Sequence, residues 1–294
     1  MTGRAASHGE IGRPATTPAG PDRHRSLGRV TEAGGVSLEP VGNGVARVSW
    51  SRELQDQGFE VASSAVRQQL ERAFEDLKQA RVEALVDPED LLATRIATWA
   101  GLQREGIMRA AVETEGARQD RVVFARVHTD APVSGGRGFR AVLNSFLPRK
   151  RAIAQMLVRD TENRVLLCNL TYKQDWDLPG GVVEVNESPR LAAEREVEEE
   201  LALSLPAGQL LLTDWLPPWS GWDDAVCLVF DGGRHAPRLA DRIVAQRREI
   251  RDARFCSSAE VHELCADFTA RRIDSALANV DAGRCTFTES GRPV

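Results

Sequence analysis

The sequence predicts an α+β protein with two structured domains behind a polar N-terminal tail. Three observations predict it. The 294 residues exceed the roughly 150 of an average domain. Short apolar runs with strand character alternate with stretches of helical spacing in both halves. A Gly- and Arg-rich interval at 131–150 separates those halves. The expected organisation is a disordered tail at 1–30, a small α/β domain at 31–130, a linker at 131–150 and a second domain at 151–294.

Composition narrows the class. Hydrophobic residues make up 42% and charged residues 28%, which excludes a wholly disordered chain and a collagen-like fibre. No run reaches the ~18 apolar residues of a spanning helix. The chain carries 38 Lys plus Arg against 43 Asp plus Glu, a net charge of −5, and lacks the basic excess of a duplex-binding protein. Residues 181–200 hold seven Glu and two Arg, so the whole imbalance sits in one segment. The five Cys are odd in number, show no C-x2-C spacing, and read as free thiols of a reducing cytoplasm. The N-terminal residues show no apolar h-region, so no signal peptide is expected.

In the first domain, 36–38 and 45–50 read as strands around the turn residues Gly42, Asn43 and Gly44. Residues 62–78 carry Val66, Leu70, Phe74 and Leu77 at helical spacing, and 82–86 read as a strand. Asp87 is expected to cap a helix with Pro88 at its first position, Leu92, Ile96 and Trp99 on its buried stripe, and Gly101 at its exit. Residues 107–112 and 122–127 complete the strands.

The second domain opens with 153–158 and 165–170, a hairpin about 160–163. Its informative segment is DLPGGVVEVNESPRLAAEREVEEELAL, 177–203. Pro179, Gly180 and Gly181 form a turn that admits close backbone approach. Ser188 can cap a helix, Pro189 suits its first position, and the helix runs to about Leu201. Ala193, Val197 and Leu201 fall on one core-facing stripe. Glu196, Glu199 and Glu200 fall together on the neighbouring stripe, where like charges repel by ~0.2–0.5 kcal/mol per pair on an exposed helix. A divalent cation would relieve that repulsion, and an all-oxygen set suits Mg2+ or Mn2+ over Zn2+. For the Glu run by itself, a solvated acidic helix is the alternative.

The wider spacing resembles the Nudix box, G-x5-E-x7-R-E-U-x-E-E-x-G-U with U aliphatic. Gly181, Glu187, Arg195, Glu196, Val197, Glu199, Glu200 and Leu203 fill its fixed positions. Ala202 stands where the family has Gly, a departure that bears on a left-handed helix exit at ~1–2 kcal/mol. The resemblance covers 151–294 and implies a Nudix-type α/β/α sandwich with a mixed sheet. It further implies hydrolysis of a pyrophosphate linkage in a nucleoside diphosphate derivative. Glu196, Glu199 and Glu200 would then hold Mg2+ or Mn2+ with the carbonyl of Gly180 or Gly181. Arg195 would orient the carboxylates and pair with Glu187. Glu196 is a candidate general base, and Glu249 is a second, since such a residue often lies outside the box.

Three of the six Trp lie in 214–224. Trp215, Trp219 and Trp222 could stack a nucleobase or plug the edge of the core, and Asp223 and Asp224 could contact a ribose or a second metal, or cap a strand. Upstream, Gln55, Gly58 and Glu60 fall where GNAT-type N-acetyltransferases carry Q/R-x-x-G-x-G/A, and 82–108 looks like their later strand–helix–strand. The resemblance over 36–128 is truncated, and Glu60 in place of a small residue would repel a diphosphate, so a degenerate domain is expected. An unrelated α/β domain used in dimerisation or docking is the alternative.

The resulting expectation is a Mg2+- or Mn2+-dependent pyrophosphohydrolase of the cytoplasm acting on a nucleotide-type small molecule. It involves no nucleic-acid duplex and no membrane, and a homodimer stays open. The alternatives are a nucleotide-binding sensor on a Nudix scaffold and a bifunctional acetyltransferase-hydrolase.

Overall fold

The computed structural model describes residues 31–294, so the expected tail at 1–30 lies outside the described residues. The chain divides into two units, with the division between Leu147 and Pro148.

The first unit contains β1 (Thr31–Ala33), β2 (Val36–Gly42), β3 (Val45–Trp50), α1 (Arg52–Asp56), α2 (Phe59–Glu75), β4 (Arg81–Val86), α3 (Leu91–Ala100), β5 (Gln103–Thr114), β6 (Ala117–Val127) and α4 (Gly136–Phe146). Its sheet runs β1-β2-β3-β4-β6-β5, with β3 and β4 parallel and the other neighbours antiparallel. A parallel pair needs a long crossover, and α1 and α2 supply it. Val36, Leu38, Val48, Val82, Ala84 and Phe124 face Val66 and Leu70 of α2 and Ile96 of α3 in one core.

Several sequence expectations need correction here. Asp90 caps α3, its carboxylate accepting from Ala93 N at 2.8 Å, whereas Asp87 closes the preceding turn onto Glu89 N. Pro88 therefore stands before the helix. The helix buries Ala93, Ile96, Ala97 and Ala100, so Trp99 is 46% exposed instead of lining the core. Leu77 lies beyond the end of α2 and is exposed. Gly101 exits α3 at φ 100° as expected. The interval read as a linker holds α4. Its Gly138 is there for close approach: a Cβ would stand 2.2 Å from Pro132 O. Val142 is buried, and Ser145 accepts from the β5 amide of Arg104.

The second unit contains β7 (Arg151–Asp160), β8 (Val165–Leu170), β9 (Trp176–Asp177), β10 (Gly180–Val182), α5 (Pro189–Leu201), β11 (Leu210–Leu216), β12 (Ala225–His235), a 3-10 turn (Pro237–Arg242), β13 (Ile250–Cys256), α6 (Ser258–Leu264), α7 (Asp267–Ala282), β14 (Thr286–Glu289) and β15 (Arg292–Pro293). The mixed sheet runs β13-β8-β7-β12-β11-β14-β15, with β10 on β7 and β9 on β8. One face packs Ala154, Met156, Val158 and Leu166 against Ala193, Val197 and Leu201 of α5. The other packs Leu157, Leu167, Cys227 and Val229 against Val261 of α6 and Ala270 and Ile273 of α7. Helices on both faces make β7 and β8 apolar runs rather than alternating ones. Asp160, fully buried, closes the β7–β8 turn by accepting from the amides of Glu162 and Arg164 and from Arg164 Nε. Four Cys are buried and Cys285 is exposed, all as free thiols. No described helix is long and apolar enough to cross a membrane.

Candidate active site

The site is built where β10 runs into α5. Gly180 pairs with Gln155 of β7 at φ 140°, and a Cβ there would stand 2.2 Å from Ala154 O. Only glycine permits that approach. Ser188 then caps α5, its hydroxyl accepting from Leu191 N, and Pro189 begins the helix. The helix ends at Ala202 in the left-handed conformation, φ 55° and ψ 32°. Ala193, Val197 and Leu201 are fully buried, which fixes the helix rotation and places the Glu stripe beside Gly180 and Gly181.

The three carboxylates differ in setting. Glu200 is 4% exposed, and its Oε2 accepts from Gly180 N at 3.0 Å. Burial pushes its carboxyl up to about 8, against the Gly180 hydrogen bond and helped by the charges of Glu196, Glu249 and Asp177. Glu196 is raised as well, by burial first, with Arg195 opposing and Glu199 and Glu249 adding. Its carboxylate lies against Gly181, where a Cβ would meet Glu196 Cδ at 2.6 Å. Glu199 is exposed and bound to Arg195 Nη1 at 3.0 Å.

Arg195 ties the set together. Its Nε and Nη2 donate to the two oxygens of Glu187 at 2.8 and 3.0 Å, and Nη1 lies 2.9 Å from Glu196 Oε1. A bidentate fork of this kind sets orientation as well as charge. The Arg195 hydrogen bonds, with the Glu184 amide region, hold the Glu187 carboxyl down at about 2. Glu249 precedes β13 on a segment whose Gln246 N and Val244 N donate to the α5 carbonyls Glu200 O and Leu201 O. That docking brings the Glu249 charge to bear on Glu196 and Glu200.

These residues fit a hard divalent cation. The donors are carboxylate oxygens, and burial keeps Glu200 mostly protonated at neutral pH unless a cation stands beside it. Glycine at 181 leaves open the space in front of Glu196 that any side chain would fill. Among the described residues no three acidic, His or Cys side chains already stand together as a ligand cage. Glu199 and Glu200 are turned to Arg195 and to Gly180 N.

Gly180 and Gly181 also line a cavity of about 310 Å3. Trp219 and Trp222 form one wall, 55% and 56% exposed, joined by mutual backbone hydrogen bonds across Ser220 and Gly221. Trp219 stands edge-on to Phe268 at 5.7 Å, and the Arg151 guanidinium lies over Trp222 at 4.8 Å. These two Trp face the cavity rather than plugging the core. Trp215 and Asp223 do not line it. Trp215 is half-buried on β11 with its indole N–H directed at Asp224, and Asp223 is exposed with its carbonyl accepting from Arg151.

Sequence reasoning missed the polar floor of this cavity. Arg272 Nε donates to the buried Asp214 at 2.9 Å and Nη1 to Gln155 at 3.0 Å. Lys173 Nζ donates to Asp177 at 2.6 Å. Burial works to raise the Asp177 carboxyl, but Lys173 and Arg272 outweigh it and hold it low. A polar residue inside an apolar strand, Gln155, was the available signal. In the first unit, Gly58 begins α2 at φ 102° without a side-chain cap, Glu60 sits in the first turn, and Gln55 is buried.

Residues 148–277 match the family model for the NUDIX domain, and the C-terminal unit carries that domain. The N-terminal part is similar to the probable N-acetyltransferase YjcK of Bacillus subtilis (strain 168), 33% identical over 100 residues. That match takes in 33% of this chain and 55% of the relative, so the chain spans about half the length of the curated protein it resembles. Among solved structures, the MutT protein from Methanosarcina mazei Go1 is similar at 20% identity and a TM-score of 0.39, over 48% of this chain and 99% of that one. The ribosomal-protein-S5-alanine acetyltransferase from Vibrio fischeri is similar at 20% identity and a TM-score of 0.31, over 33% and 55%.

Proposed function

We propose that the C-terminal unit hydrolyses a pyrophosphate bond in a nucleotide-type small molecule with the help of Mg2+ or Mn2+. The observation that carries this reading is the buried Glu200, which has a backbone amide and no basic side chain as its described partner, beside the half-buried Glu196 and next to Gly180 and Gly181 of an aromatic-walled cavity. The NUDIX match over 148–277 supports it.

In this reading Glu196, Glu199 and Glu200 would hold the cation with the carbonyl of Gly181, and the cation, when bound, would supply Lewis-acid polarisation of a phosphoryl oxygen and offset developing charge. Arg195 holds Glu199 and Glu196 in register through its fork onto Glu187. Glu196 or Glu249 accepts the proton of the attacking water; burial and like charges keep Glu196 basic enough for that task near neutrality. Trp219 and Trp222 give the cavity planar apolar surface for a base.

Glu199→Gln and Glu200→Gln are each expected to lower turnover by orders of magnitude in a nucleotide screen with Mg2+, with the fold retained. Unchanged turnover in both variants overturns the assignment, and tight binding without turnover supports a nucleotide sensor instead. A second reading, a bifunctional acetyltransferase-hydrolase, draws on the similarity to YjcK. Glu60 and the burial of Gln55 oppose acyl-CoA binding at that motif. No heat on titrating acetyl-CoA into the full chain would end that reading.

A further inference from the structure

Helix α7 presents a buried guanidinium whose donors the protein does not use up. Arg272 is 2% exposed and lines the cavity. Its Nε is bound to Asp214 and its Nη1 to Gln155, and the guanidinium lies over Phe268 at 5.7 Å, but among the described residues Nη2 is buried without a hydrogen-bond partner. A buried N–H without an acceptor is costly, and such orphans are rare in folded proteins.

The neighbouring polar groups are already engaged. Gln155 Oε1 accepts from Arg272 Nη1 and Cys227 Sγ, and its amide nitrogen donates to Asp177 Oδ1 and Leu178 O. Asp177 Oδ1 also accepts from Leu178 N, and Oδ2 from Lys173. The unmet capacity at the floor is therefore a donor. Its charge is balanced: Arg272 pairs with Asp214 and lies 3.9 Å from Asp177, which also pairs with Lys173. At the floor, two cations against two carboxylates do not call for an anion, and the further cation of the lining, Arg151, lies over Trp222 and donates to Asp223 O. The floor calls for a neutral group with a lone pair, set on a flat ring that Trp219 and Trp222 can face.

We infer that Arg272 is a specificity-determining residue, its Nη2 donating to an exocyclic carbonyl oxygen on the buried edge of a nucleobase. The cavity then prefers a base with a carbonyl at that edge over its counterpart with an amino group. An amino group would oppose donor to donor and leave both unpaired. The inference rests on the hydrolase reading for the identity of the ring as a nucleobase, and not for the hydrogen bond.

The test is calorimetric binding of matched nucleoside monophosphates to the full chain in EDTA, UMP against CMP and IMP against AMP. In each pair the carbonyl member is expected to bind at least about tenfold more tightly, the scale of one hydrogen bond to a charged group. Arg272→Lys keeps a cation beside Asp214 but lacks the second terminal nitrogen, and should bring each pair within about twofold. Trp222→Ala, at an exposed position, should weaken all four ligands and preserve the ratio, so the inference does not depend on one buried variant folding. Equal affinities in the wild type, a preference for the amino members, or no binding of any of the four at millimolar concentration overturns it. Because no turnover is measured, carbonyl selectivity would stand even if every hydrolysis assay failed, and hydrolysis without selectivity would remove this inference while leaving the hydrolase reading intact.

Discussion

Glu200→Gln separates the stability of the site from its chemistry. Burial raises the Glu200 carboxyl from an ordinary 4.5 to about 8, so the folded chain binds this proton more tightly than the unfolded one. Stability from this group is fully present below about pH 4.5 and is lost as pH rises through about 8. The gap corresponds to at most about 5 kcal/mol, and relaxation with entering water brings the expected loss to about 2–4 kcal/mol. Glutamine has the same shape, can still accept from Gly180 N, and cannot ionise. In EDTA, the difference in melting temperature between variant and wild type should therefore be small at pH 5 and favour the variant by roughly 5–15 °C at pH 8.5. Differential scanning calorimetry of the full chain across that range measures it. Mg2+ should raise the wild type more than the variant at pH 8.5, since a ligand that binds the native state stabilises it. Parallel pH profiles for the two proteins, or a variant less stable than wild type at pH 8.5, would refute the account of Glu200 as a buried carboxylate short of a cation.

Two further substitutions probe the same element. Gly181 lies outside the left-handed region, and an added Cβ there meets the Glu196 carboxylate at 2.6 Å. Gly181→Ala should thus leave the melting temperature within a few degrees while cutting kcat by roughly 10²-fold through misplacement of Glu196. A phosphate-release assay reads it, and full activity would show that Glu196 has no fixed role. Ala202→Gly should raise stability by about 0.5–1 kcal/mol, because relief of the left-handed strain exceeds the added chain entropy of glycine. A lower melting temperature would mean that φ 55° at Ala202 costs nothing.

The candidate site was legible wherever its geometry is local. Ser188, Pro189 and the spacing of Ala193, Val197 and Leu201 define a helix and its rotation within a few turns of chain, and the structure returns that helix over Pro189–Leu201. Arg195 reaches Glu187 and Glu199 from the same short stretch. Reading failed where an element competes with its neighbours. Asp87 and Asp90 are both competent caps, and the packing of Ile96 and Ala97 on the sheet selects Asp90. The glycines of 135–138 suggest flexibility in isolation, yet Gly138 permits a contact with Pro132 that a side chain would block.

Two things about this protein were settled by the sequence itself. One is the acidic helix with its Arg195–Glu199 pair, because residues four apart on a helix are neighbours whatever surrounds them. The other is the confinement of the net charge of −5 to that helix and its approach. Tertiary structure decided what those carboxylates experience. Of three Glu that look alike in sequence, burial beside β10 singles out Glu200, and Glu199 stays in solvent. It also decided that two of three clustered Trp line a cavity and that Arg272 meets Gln155 from 117 residues away. Such encounters depend on strand order and on which face of each element the core claims, and neither is written in the spacing of the residues that meet.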